Sequence, residues 1–191
     1  KDEYMRMPES REEWEKYAAE TERRWQFPNC IAAADGKHIA IINPAEGGSQ
    51  FFNYKNFFSI VLFAIVDYDY KFVFVDVGCQ GRISDGGVYR NSYFYRAIEE
   101  NKLNLPDPKP LPLSHNPVYI DQCYEAIPYV VLGDDAFPLG IHCMKPYAQQ
   151  GLSPRKRIFN YRLSRARRLT ENAFGIWVNR FRVFTTKMCL H

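Results

Sequence analysis

The sequence lacks most of what would mark a membrane-spanning, secreted or fibrous chain. Its longest nearly unbroken apolar run, Phe57 to Val66, stops at Asp67, well short of the roughly 20 residues a membrane-crossing helix needs. The opening residues Lys1-Asp2-Glu3 carry no apolar segment, so no signal peptide is expected. None of the five cysteines forms a CxxC pair; an odd, scattered set reads as reduced thiols of an intracellular protein rather than a disulfide framework. The four histidines miss zinc-finger spacings, which argues against a structural zinc site. No internal repeat is visible. Acidic residues are nearly missing from the C-terminal end, where residues 155–191 hold ten basic side chains and one acid, Glu171.

What is present suits one globular domain. The chain has 191 residues, 46% hydrophobic and 25% charged, enough to bury a core. The net charge of +3 hides an asymmetry. Residues 1–30 and 31–154 are each net acidic, by two and four charges, and the last 37 residues are net +9. A solvated helix face is the plain reading of such a charge run. A helix face built for its own stability mixes signs, however, and a one-signed arginine segment beside an acidic body suits a polyanion, most simply nucleic acid.

The pattern along the chain predicts an α/β fold with a mixed sheet. Ser10-x-x-Glu13 is a capping box opening a helix over 10–25, with Trp14, Tyr17, Ala18, Thr21 and Trp25 on one face. Ile31 to Ile42 reads as a strand interrupted by Gly36. Phe57–Val66 and Phe72–Val77 are apolar on both faces; the first reads as a central strand, and the short turn between them makes the two an antiparallel hairpin. A glycine-rich turn then leads to a helix near Val88 to Glu100. Residues 104–118, with five prolines, form a loop. Tyr129–Leu132 is a short buried strand and Gly140–Met144 a further candidate. Gly151–Pro154 reads as a mobile loop, with the last helix running from an Asn160 N-cap to about Asn179. Tyr54, Phe57 and Tyr89 read as core.

Three acids stand out. Asp35 lies mid-strand among Ile31, Ala33, Ile39 and Ile41, where a carboxylate is costly unless paired or metal-bound; alternatively the Asp35-Gly36 pair makes a turn. Asp134 follows Val130-Val131-Leu132-Gly133, at the strand end where open α/β sheets bind ligands. A cap or turn role is equally compatible there, and adjacent Asp135 competes with it. Glu171 shares a helix face with Arg167 and Arg168 and lies off the apolar stripe of Ala166, Leu169, Ala173 and Trp177; a simple i,i+4 ion pair is the alternative. Carboxylates from two strands and a late helix suit Mg²⁺, and two such ions suit phosphodiester cleavage. Asp67, Asp76, Asp85 and Asp121 compete for the same roles.

Four ordered blocks carry a resemblance. Ala33-Ala34-Asp35-Gly36-Lys37-His38-Ile39, Ser84-Asp85-Gly86-Gly87-Val88-Tyr89-Arg90-Asn91-Ser92, Gly133-Asp134-Asp135-Ala136-Phe137-Pro138-Leu139, and Phe159-Asn160-Tyr161-Arg162-Leu163-Ser164-Arg165-Ala166-Arg167 with Glu171-Asn172-Ala173-Phe174-Gly175 resemble, in order, segments of the PIF/Harbinger-type DDE transposases and the nuclease-like proteins derived from them. The likeness covers about residues 12–182. It implies an RNase H-like mixed sheet with flanking helices, Mg²⁺ or Mn²⁺, and DNA cleavage with strand transfer. It makes Asp35, Asp134 and Glu171 the catalytic and metal-binding triad. It leaves Asp85 outside, as a recurring acid that a helix N-cap explains equally well. With the charge pattern, it makes Lys37, Arg165, Arg167 and Arg168 candidates for nucleic-acid binding. Lys37 stands where Thr is commoner in the family, and Ser84 where His is commoner.

The implied organisation is a helical segment over 1–29, a nuclease domain over 30–182 and a tail over 183–191. The family's N-terminal DNA-binding portion has no counterpart in these residues, so a Myb/SANT-like or other DNA-binding partner protein is expected. Nuclear localisation and a possible homo-oligomer follow from the same resemblance, and no membrane partner is expected. The competing function is a domesticated scaffold that keeps the fold and works through a protein partner; an enzyme acting on RNA or hybrids is a third.

Overall fold

The structure, a computed structural model, describes residues 5–111 and 125–189. The competing acid Asp121 and part of the proline-rich loop lie outside the described residues. The first helix, α1 (Arg11–Trp25), starts where the capping box placed it, with the Ser10 hydroxyl accepting from the Glu13 N–H. It buries Trp14 and Ala18, and the Trp14 indole donates to the Leu103 carbonyl. The helix ends at Gln26 in the left-handed conformation.

Strand β1 (Cys30–Ala40) runs unbroken through Gly36, so Asp35-Gly36 is strand, not turn. Strands β2 (Ser59–Val66) and β3 (Phe72–Gln80) form the expected hairpin. β2 sits between β3 and β1, antiparallel to both, which is why its two-sided apolar sequence is buried on both faces. The helical stretch expected over 88–100 is two helices, α2 (Asp85–Asn91) and α3 (Tyr93–Glu99). Ser92 divides them. Its hydroxyl donates to the Tyr89 carbonyl and accepts from the Tyr95 N–H, ending one helix and capping the next.

Two-residue strands β4 (Lys109–Pro110) and β5 (Ala126–Ile127) pair with each other. Strands β6 (Val130–Leu132) and β7 (Cys143–Met144) join the main sheet in parallel, giving the order β3-β2-β1-β6-β7. The sheet is therefore mixed, with helices on both faces. One core packs α1, α2 and α3 against Ala32, Ala34, Val61, Phe63, Ile65 and Val131; the other packs the last helix against Ala33, Ala64, Val66, Val130 and Leu132. An irregularity in the β1–β6 pairing between Cys30 and Ala32 turns Ile31 into the first core, away from the face expected for it.

The last helix, α4 (Pro154–Arg180), starts seven residues earlier than an Asn160 cap would place it. Ser153 caps it and Pro154 occupies the first turn, where a missing N–H costs nothing. Of the residues read as a mobile loop, Ser153 and Pro154 are thus the helix start, and Gly151 and Leu152 precede it. Asn160 is not a cap: it is buried mid-helix, accepting from the Tyr147 N–H and donating to the Tyr147 carbonyl. Leu169 points into the core, and Trp177 stacks on Phe184 of a short 3-10 helix, Arg182–Thr185. Among the described residues no helix is long and apolar enough to cross a membrane.

Candidate metal centre

The sheet register brings the first two acids together. β1 and β6 run parallel with Ala33 opposite Leu132. Asp35 lies two residues beyond Ala33, and Asp134 two beyond Leu132, so both reach the same level of the sheet. Asp35 also accepts from the Gly36 N–H at 2.9 Å. Asp134 accepts from the Ala136 N–H at 3.0 Å, in the turn that follows β6. Asp135 is exposed, and of the two adjacent aspartates it is Asp134 whose carboxylate lies beside Asp35.

The third carboxylate at this point is Asp85. Asp35, Asp85 and Asp134 each offer an oxygen, and the three oxygens lie within 4.8 Å of one another. Asp85 arrives from the opposite face of the sheet, on the first turn of α2. Ser84 is the N-cap, its hydroxyl accepting from the Gly87 N–H. The cap role open to Asp85 in the sequence is therefore taken, and its carboxylate turns toward β1. Two close approaches make room for it. A Cβ on Gly36 would overlap the Asp85 carboxylate, and one on Gly86 would overlap the Ala136 carbonyl. One signal in the sequence pointed here: a serine directly before Asp85 is itself a preferred cap.

Glu171 lies outside this group. Its side chain is 60% exposed, and it approaches Arg167 at 3.9 Å, one turn back on α4. Arg167 is the more buried partner at 17% exposure, and its buried Nε has no hydrogen-bond partner. Arg167 faces the aspartates closely enough that its charge favours the ionised forms of Asp35 and Asp85. The remaining candidate cations scatter. Lys37 sits half-buried with its ammonium 5.8 Å from the centre of the Phe174 ring. Arg165 donates to Gln26 Oε1 at 2.8 Å, tying α4 to the end of α1. Arg168 is exposed. Of the competing acids, Asp67 is buried in the β2–β3 turn, accepting from the Asp69 and Lys71 N–H groups, and Asp76 lies on β3.

The electrostatics match the crowding. Burial, more than anything else, raises the Asp35 carboxyl above its ordinary range; Arg167 and the Gly36 N–H oppose that, and Asp134 and Glu171 add to it. Asp85 is pushed up to about 7, first by burial and then by the charges of Asp35 and Asp134. Its buried Oδ1 has no hydrogen-bond partner. Three carboxylates at this spacing, one with an unsatisfied oxygen, repel one another when ionised and are relieved by a cation.

The chain matches a family described as DDE superfamily endonuclease over residues 34–191. The chain belongs to the DDE superfamily endonucleases. It is 34% identical over 164 residues to a protein named ALP1-like from Arabidopsis thaliana, covering 85% of this chain and 38% of that protein. It is 24% identical over 179 residues to the Arabidopsis thaliana protein named Antagonist of like heterochromatin protein 1, covering 91% of this chain and 42% of that one. The chain thus spans about two fifths of the length of these curated relatives. No solved structure matches it.

A DDE endonuclease core accounts for the mixed sheet with flanking helices. Endonucleases of this superfamily use divalent metals, and the residues here fit one. The donor set is all carboxylate, the preference of Mg²⁺ and Mn²⁺ rather than zinc, and the unpartnered Asp85 oxygen is a free ligand position.

Proposed function

We propose that the chain is the catalytic core of a metal-dependent DNA endonuclease or transposase of the PIF/Harbinger type. The observation that carries this reading is the convergence of Asp35, Asp85 and Asp134 from β1, α2 and the end of β6. Asp35 and Asp134 would hold the divalent cation, with Asp85 as a third oxygen donor and Glu171, exposed on α4, as a further acid. Bound Mg²⁺ or Mn²⁺ would activate a water and stabilise the leaving oxygen of the phosphodiester.

The chain's own residues do the rest. Arg167, mostly buried beside Asp35, offsets the carboxylate charge and is positioned to meet a phosphate. Its approach to Glu171 is long for an ion pair and half exposed, so exchanging that partner for a phosphate costs little. The one-signed outer surface of α4, with exposed Arg157, Arg162 and Arg168, supplies phosphate contacts that position DNA without reading its sequence. Target choice then falls to a Myb/SANT-like or other DNA-binding partner, and the working compartment is the nucleus.

The test is calorimetric titration of Mg²⁺ and Mn²⁺ into the wild type and Asp134→Ala, with and without a short DNA duplex. Metal binding that strengthens with DNA and is lost in the variant is the expected result. Absence of metal binding under every condition overturns the reading.

A second reading is a transposase-derived scaffold without transposition activity. It is favoured by the exposure of Glu171 outside the carboxylate group. It is favoured too by a relative whose name makes it an antagonist of a heterochromatin protein. On that reading alanine at both Asp35 and Glu171 leaves the biological role intact.

A further inference from the structure

The loop between β1 and β2 carries a group of side chains that the metal centre does not use. Asn53 is buried and organises it: its Oδ1 accepts from the Lys55 and Phe57 N–H groups, and its Nδ2 donates to Ser59 Oγ at 2.8 Å. Ser59 Oγ also meets His38 Nδ1 at 2.8 Å. The loop is therefore tied to β1 and β2. It holds Tyr54 out of the core, 75% exposed, against the core role its sequence suggested; Tyr89 is buried and Phe57 half-buried. The Tyr54 and His38 rings lie steeply inclined with their centres 5.6 Å apart, and the Lys55 ammonium lies 5.3 Å from the centre of the Tyr54 ring.

This group borders the carboxylates. His38 follows Gly36 by two residues on β1, so both face the same side, roughly 7 Å apart along the strand. Gly36 is the residue against which Asp85 packs. The Lys55 charge is near enough to favour the ionised form of Asp85 and the neutral form of His38. A held-out aromatic ring, an exposed ammonium and an adjacent cation-binding centre together match the stacking face and phosphate contact of one unpaired nucleotide.

We infer that Tyr54 and Lys55 form a subsite for an unpaired DNA nucleotide next to the scissile phosphate, the base stacking on Tyr54 and its phosphate meeting Lys55. This rests on the endonuclease reading for the identity of its ligand. It adds a substrate class: DNA with a single-stranded end or flap at the cleavage point, in addition to continuous duplex.

The test uses the 191-residue chain on an Asp134→Ala background, so that no cleavage intervenes. A short single-stranded oligodeoxynucleotide carrying 2-aminopurine is titrated, with a blunt duplex in parallel. Expected are quenching of the probe and a loss of single-strand affinity of about tenfold or more on Tyr54→Ala, the scale of one base–aromatic stack. Duplex affinity is expected to stay unchanged, and Tyr54→Phe, which keeps the ring, to bind as the parent does. Equal single-strand affinity for Tyr54→Ala and its parent overturns the subsite. If the chain with Asp134 intact also nicks duplex DNA with Mg²⁺ or Mn²⁺, that result leaves the endonuclease reading standing. Tyr54-dependent oligonucleotide binding without nicking by the chain with Asp134 intact supports the subsite and removes the endonuclease reading instead.

Discussion

Asp67 and Asp85 are both aspartates withdrawn from water, at different places in the fold, and burial raises the carboxyl of each above its ordinary range. Their surroundings differ. Asp67 closes the β2–β3 turn and accepts from two backbone N–H groups, at 2.8 and 2.9 Å. Asp85 faces two other carboxylates and leaves a buried oxygen without a partner. Burial of an acid is thus no mark of a functional site. What separates the two is whether the fold itself satisfies the charge: at Asp67 it does, and at Asp85 it leaves room for something to be bound.

The comparison breaks first on activity. Asp134→Ala should reduce metal-dependent DNA nicking by about 10³-fold or more, the scale for removing a member of a catalytic unit, whereas Asp67→Ala, in protein shown to be folded, should nick as the wild type does. A plasmid-nicking time course with Mg²⁺ and Mn²⁺ checks both, and equal losses would erase the distinction.

Next is the geometry that admits Asp85. Gly36→Ala places a methyl where the Asp85 carboxylate lies, and metal affinity measured by calorimetry should fall about 10–100-fold, as for other changes that misplace a metal ligand. Unchanged affinity would mean that Asp85 is not needed at the centre.

Stability should move in opposite directions at the two acids. Asp67→Ala leaves two N–H groups of the turn without their acceptor and should cost about 1–3 kcal/mol in denaturant unfolding, with no effect on metal binding. Asp85→Asn removes a repelled charge and should stabilise the metal-free protein by about 0.5–2 kcal/mol at pH 8. The pH dependence carries the same sign. Folded Asp85 keeps its proton to about pH 7, while the unfolded chain releases it near the ordinary value of 3.8. Metal-free stability from this group therefore declines as pH rises from about 4 toward 7, and the penalty is complete above 7. Asp85→Asn should lack that decline, and a wild type as stable at pH 8 as at pH 5 would contradict it.

The smallest effect belongs to Arg165. Its contact with Gln26 is exposed, so Arg165→Ala should alter stability by less than about 0.5 kcal/mol while weakening duplex binding in a salt-dependent way.

Much of this was legible from residues alone. The apolar runs of β2 and β3 and the short turn between them marked an antiparallel hairpin, although β3 proves to be the partly buried edge of the sheet, and the capping box marked the start of α1. Asp35 was conspicuous because a carboxylate between alanines and isoleucines needs a partner. Helix limits were less legible where short polar residues offer rival hydrogen bonds. Ser153 rather than Asn160 caps α4, and Ser92 cuts one expected helix into two. Both outcomes depend on which backbone group a side chain meets in the folded chain.

By itself the sequence determined the mixed α/β class and the basic character of the last helix, and it marked Asp35 and the Asp134-Asp135 pair as candidate ligands. Those features are written in local alternation, composition and strand ends. Only the tertiary structure decided which acid joins them. Asp85 lies 50 residues from Asp35, and the one local sign, a serine before it that can take the cap, frees its carboxylate without saying where it goes. It reaches the centre because Ser84 takes the cap, because Gly36 and Gly86 carry no side chain to block the approach, and because the sheet register sets Asp35 and Asp134 side by side beneath it. Proximity between residues distant in sequence is a property of packing, and packing is settled by the whole chain at once.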